Sequence, residues 1–69
     1  MSDHIYKLVE IVGTSSESFA KAADAGVRRA SKTLKHVDWF EVTEMRGRVV
    51  DGMVAQFQVK LKVGFRLEE

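Results

Sequence analysis

The C-terminal stretch Val54–Leu67 constrains this chain more than any other, because apolar and polar residues alternate along it without a slip. Ala55, Phe57, Val59, Leu61, Val63, Phe65 and Leu67 fall in one phase; Gln56, Gln58, Lys60, Lys62, Gly64 and Arg66 fall in the other. Successive side chains of an extended backbone point to opposite faces, so the pattern is that of a strand with one apolar and one polar side. At about 3.3 Å per residue it reaches about 43 Å, against a usual strand length of about five or six residues. A small chain has little of its own to cover so long an element. The stretch therefore reads as the spine of a one-sided sheet whose ends, and whose second face, need other copies of the chain.

Size points the same way. The 69 residues are expected to form one domain, 1–69, near the length at which a single hydrophobic core is marginal. Such domains add disulfides, a structural metal or oligomerisation. Cysteine is absent, which removes disulfides and thiolate metal sites. His4 and His36 have no carboxylates at metal-ligand spacing. Oligomerisation remains by elimination. Charged residues are 30% of the chain but the net charge is only +1, without the basic excess of a dedicated nucleic-acid binder. No apolar run approaches a membrane span, and Met1–Lys7 lacks a signal peptide's apolar core. The expectation is a cytoplasmic protein with no nucleic-acid or membrane partner.

Along the chain, Ile5–Val12 reads as a strand with apolar groups in both phases: Ile5, Val9 and Ile11 in one, Tyr6, Leu8 and Val12 in the other. Gly13 follows as a turn, and Thr14 with Glu17 fits a capping box opening a helix over about Ser15–Leu34. Phe19, Ala22, Ala23, Gly26, Val27, Ala30, Leu34 and Val37 recur at helical steps as its inner stripe. The small residues in the middle let the helix lie close against a sheet. Arg28, Arg29, Lys32, Lys35 and His36 crowd the C-terminal half, where the helix dipole favours cations, and read first as a solvated face. A second strand, about Trp39–Val50, alternates poorly: Val42, Glu44, Arg46 and Arg48 share one phase, and Gly47 in the other hints at a bulge or a close approach. Asp51-Gly52 is the favoured two-residue hairpin turn into the third strand. The order is strand, helix, strand, strand, an α+β fold whose single helix covers one face of an antiparallel sheet.

Among residues able to carry chemistry, Trp39 is the sole tryptophan, suited either to anchoring a core or interface or to stacking on a flat ring. Phe40 falls on the opposite side and reads as core. Gln58 on the polar face offers the donor and acceptor that an imide edge requires, and Arg46 and Arg66 could each fork onto a phosphate. Each also reads as an ordinary surface residue when taken alone. Nucleophile motif, phosphate-binding glycine loop and acid–base carboxylate pair are all missing.

Leu34–Gly47 (LKHVDWFEVTEMRG), Gln56–Glu68 (QFQVKLKVGFRLE) and Tyr6–Ser15 (YKLVEIVGTS) together resemble the dodecins, small prokaryotic flavin-binding proteins. The resemblance implies β-α-β-β, a three-stranded antiparallel sheet partly wrapping one helix, with twelve copies closed into a hollow homododecameric shell. It also implies paired flavins (FMN first, riboflavin or FAD as well) stacked between tryptophans at two-fold subunit interfaces. By position, Trp39 is the stacking residue and Gln58 meets the ring's polar edge. Arg46 and Arg66 meet the side chain and phosphate, and Asp38 the ribityl hydroxyls. Some bacterial dodecins hold coenzyme A as well, and Lys7, Arg29 and Lys32 fall in the matching region.

A flavin covered on both faces by aromatic rings leaves no place for a substrate beside its reactive ring. The expected function is storage, buffering and photochemical quenching of flavin, without turnover. Two alternatives stay open. One is a flavin-dependent oxidoreductase; the other is an oligomeric interaction module with no small ligand, in which Trp39 anchors the interface.

Overall fold

The structure, a computed structural model, describes residues 3–68. Four elements follow one another: β1 (Tyr6–Ser15), α1 (Phe19–Ser31), β2 (Val37–Val50) and β3 (Met53–Arg66). The sheet is antiparallel throughout in the order β1-β3-β2, so the alternating strand lies in the centre. Its apolar phase makes the core. Val59, Leu61 and Val63 are buried beneath Ala22, Ala23 and Ala30 of α1, with Val9, Ile11, Phe19, Val27, Leu34 and Val37 packed around them. Phe19 meets Phe57 edge-on at 4.9 Å. Gly13 lets the helix come this close, since a Cβ there would run into the backbone carbonyl of Ala22. Asp51 and Gly52 both have positive φ, 53° and 76°, as the expected hairpin turn requires.

The helix is shorter than its periodicity suggests, and it starts elsewhere. Thr14 and Ser15 stay in β1, paired with Gln58 and Phe57, so the capping box of Thr14 and Glu17 does not form. Ser18 is the N-cap instead, its hydroxyl accepting from Lys21 N at 3.0 Å. Ser15 Oγ accepts from Glu17 N at 2.9 Å and holds the turn between strand and helix. Pairing with the long β3 wins over local capping. At the other end Lys32 caps the helix, and the N–H groups of Thr33 and Leu34 both return to the Ala30 carbonyl.

Two readings of β2 need correction. Register shifts at Val37/Trp39, Val42/Glu44 and Arg48/Val49 break its alternation, and none is centred on Gly47, which pairs with Phe57 in register. The middle shift moves Val42 to the helix side, opposite Leu61, and leaves Glu44 and Arg46 on the other side, opposite Lys60 and Gln58. Phe40 does lie opposite Trp39, facing the side of Val63, but it is 48% exposed and not core. The helix reaches β1, β3 and only the start of β2 at Val37, and leaves the rest of β2 bare: every residue from Asp38 to Val50 is exposed. The molecule is accordingly drawn out, 56 × 20 × 14 Å. Its radius of gyration is 14.3 Å, where a compact chain of this length has about 11 Å. Among the described residues no helix is long and apolar enough to cross a membrane.

Candidate functional site

Trp39, Arg46, Gln58 and Arg66 lie on the sheet face turned away from α1. Residues opposite one another in an antiparallel pair share a face, so the register gives this surface row by row. Tyr6 pairs with Arg66; next come Leu8, Gly64 and Trp39, then Glu10, Lys62 and Glu41. Beyond these lie Val12, Lys60 and Glu44, and then Thr14, Gln58 and Arg46. The face thus carries an aromatic end, a charged middle and an amide–guanidinium end.

At the aromatic end the Trp39 indole lies across Gly64, where any Cβ would penetrate its fused ring carbons. Gly64 is therefore the seat of the tryptophan, a role that the sequence pattern alone shows only as a gap in the polar phase. Tyr6 packs against the indole at 5.0 Å and 61°. Even so Trp39 remains 40% exposed. A large aromatic group is held in place with part of its ring free. Asp38, in the register shift beside it, lines a hollow of about 240 Å³ with Tyr6, His36, Val37 and Arg66. Neither Tyr6 nor His36 stands out in the sequence as a binding residue; their position next to Trp39 appears only when the strands are paired.

At the far end Arg46 donates from Nε to Gln58 Oε1 at 2.7 Å, and Gln58 donates from Nε2 to Gln56 Oε1 at 2.8 Å. The amide is thereby oriented, with a donor and an acceptor lone pair left over. Arg46 also meets Glu44 at 3.4 Å. Between the two ends, Lys60 Nζ lies 3.9 Å from both Glu10 and Glu44, tying the outer strands across the central one.

The structure brings Trp39, Asp38 and Arg66 together and sets Arg46 and Gln58 apart from them. The rows of Gly64 and Gln58 are six residues apart along β3, about 20 Å. A single flat ring on Trp39 does not reach Gln58 of the same chain. The three basic residues considered for coenzyme A are also spread out. Lys7 pairs with Phe65 in the phase of the helix-covered face, and Lys32 caps α1. Arg29 lines a groove of about 620 Å³ between β1 and α1, whose walls include Ile11, Gly26 and Leu34. Among the described residues no hydrogen bond or ion pair joins Lys7, Arg29 and Lys32.

The same arrangement of elements recurs in known proteins. The dodecin family model matches residues 5–68. The chain belongs to the dodecin family. It is 55% identical over 65 residues to the dodecin of Thermus thermophilus, covering 94% of each chain. It superposes on the structure of dodecin from Streptomyces coelicolor with a TM-score of 0.94 at 55% identity, over 100% of this chain and 99% of that one. A more distant relative is the calcium dodecin of Mycobacterium tuberculosis, 30% identical over 63 residues, 91% of this chain and 89% of that one. The crystal structure of that calcium-chelating antigen matches this dodecin with a TM-score of 0.81, covering 93% of this chain and 91% of that chain.

Proposed function

We propose that this dodecin binds flavin without turning over a substrate, storing it and suppressing its photochemistry. The observation that carries the reading is the exposed Trp39 indole, braced by Gly64 and Tyr6 on a face that no element of its own chain covers. A tethered, part-free indole is a platform for a planar heterocycle, and stacking on it costs little side-chain entropy. The distance of about 20 Å between the rows of Trp39 and Gln58 implies that one ring is read by two copies. One copy supplies the platform, and Gln58 of another approaches the polar edge of the ring. Arg66, beside Trp39, suits the phosphate of FMN, which is preferred over riboflavin; Arg46 serves the side chain, and Asp38 the ribityl hydroxyls.

The assembly that unites the two copies is a homododecamer, and the bare β2 is the surface it uses. Coenzyme A has weaker support: only Arg29 of its three candidates lines the groove. Among the described residues no three histidine, cysteine or carboxylate side chains gather into a metal-holding group. The protein acts in the cytoplasm, with neither membrane nor nucleic acid as partner.

Titration of FMN against the purified protein tests the reading. Expected is strong quenching of flavin emission that saturates at a fixed ratio of flavin to chain. Unchanged emission would leave Trp39 an interface anchor. Steady oxidation of a reduced nicotinamide by the loaded protein would restore the oxidoreductase reading.

A further inference from the structure

Arg66 lies one row from Trp39 on the open face and lines the hollow beside it with Asp38. Its guanidinium Nη2 lies 3.3 Å from Nδ1 of His36, and the other imidazole nitrogen, Nε2, lies 3.3 Å from Glu68 Oε2. A guanidinium only donates, so Nδ1 must accept, and the proton of the neutral ring sits on Nε2, where it donates to the carboxylate. One tautomer satisfies both contacts. The imidazole thus stands between Glu68 and Arg66, engaging the carboxylate that would otherwise pair with the guanidinium. Among the described residues Arg66 makes no ion pair. Asp38 lines the same hollow as Arg66, and Lys35 adjoins His36 in the chain.

The backbone fixes the device as well. His36 has φ 62°, a left-handed conformation that histidine, like asparagine and aspartate, adopts more readily than most residues, and its carbonyl accepts from Arg66 N at 3.0 Å. That conformation turns the chain from the helix cap into β2 and sets the ring beside Arg66. The ring is held at both nitrogens while the backbone beneath it is fixed by the hydrogen bond from Arg66 N.

We propose that His36 is a positioning residue that keeps Arg66 turned toward an anion beside Trp39, and so sets the preference for a phosphorylated over an unphosphorylated flavin. The inference rests on the flavin reading above and deepens it. In this role His36 acts through Arg66, by bonding one guanidinium donor and leaving the others free, and by occupying Glu68. Without it, the guanidinium turns to Glu68 or Asp38 and part of its charge is lost to the phosphate.

The test is the ratio of riboflavin Kd to FMN Kd, read by emission quenching on the assembled protein for four variants. Arg66→Ala removes the anion partner, and His36→Gly removes the ring while keeping the left-handed backbone. His36→Asn keeps that backbone and returns a side-chain acceptor near the position of Nδ1. The fourth variant combines His36→Gly with Arg66→Ala. Arg66→Ala should lower the ratio about 10-fold, the scale of a hydrogen bond to a charged group. His36→Gly should lower it about 3-fold, as expected for an exposed contact. His36→Asn should recover most of that loss, and the double variant should match Arg66→Ala, because the two residues act as one unit. An unchanged ratio in His36→Gly overturns the proposal, as does a double variant in which the two losses multiply. If the wild-type protein quenches neither flavin, the flavin reading itself fails and takes the proposal with it. If it quenches both and Arg66→Ala changes nothing, flavin binding survives and only the phosphate role of Arg66, with that of His36, is lost.

Discussion

Two parts of this small molecule are built from equally apolar sequence and come to opposite ends. Where β1 and β3 lie under α1, Leu61 and Val63 are fully buried and small residues let the helix settle on the sheet. Along β2 and the hairpin tip, Phe40, Val42, Met45, Val49 and Met53 are exposed, although the first three lie on the helix side of the sheet by register. The difference is one of reach. A helix of 13 residues is about 20 Å long at 1.5 Å per residue, and it covers β1, β3 and only the start of β2. The 14-residue β2 outruns it. One part is complete within the chain; the other leaves apolar side chains that no element of the chain covers, as the proposed assembly requires.

The largest expected effect tests the complete part. Leu61→Ala removes a fully buried side chain next to Gly26, and should cost about 2–5 kcal/mol, much of what so small a domain has. Chemical denaturation followed by circular dichroism measures it. Met45→Asp tests the other part. Met45 is 57% exposed in one chain, so the fold of a protomer should shift by no more than about 0.5 kcal/mol. A charge placed in an apolar contact costs several kcal/mol, so native mass measurement should show the assembly dissociating. An assembly of unchanged mass would mean that the bare strand is simply surface. Trp39→Ala separates ligand from interface: loss of the stacking platform should weaken FMN about 30-fold or more while the native mass stays. Dissociation in that variant would favour the interface reading instead.

Much of the complete part was legible in advance because its signals are periodic. The alternation of β3 names the phase that holds the buried Val59, Leu61 and Val63, though its ends Ala55 and Leu67 are exposed; the helix stripe from Phe19 to Val37 names the residues that pack, and Asp51-Gly52 names the turn. What failed depends on pairing. Thr14 and Glu17 satisfy a local capping rule, but Thr14 is drawn into β1 by its partner Gln58, and nothing near Thr14 in the sequence reports on residue 58. The phase of β2 is lost at Val42/Glu44 because a register shift inserts a residue without any marker in composition. The site divides in the same way. Trp39, Gln58, Arg46 and Arg66 can be named by resemblance, whereas Gly64 beneath the indole, Tyr6 beside it and His36 behind Arg66 become visible only when the strands are aligned.

The smallest expected effect decides what the charged middle of the open face is next to. Lys60 is 3.9 Å from Glu10 and from Glu44, with a third of its side chain exposed. If this face meets water, whether outside or within a hollow shell, each pair is a screened surface contact. Lys60→Gln should then cost about 0–1 kcal/mol, and the cost should fall as salt is raised from about 0.05 M to 1 M. If another copy packs on the face, the carboxylates left behind are desolvated. The same substitution should then cost about 3–5 kcal/mol and respond little to salt. Thermal unfolding of the assembled protein at the two salt concentrations reads the difference. A small, salt-dependent cost is expected, because Lys62, Glu41 and Arg48 crowd the same surface with charge, which a dry interface between copies would exclude.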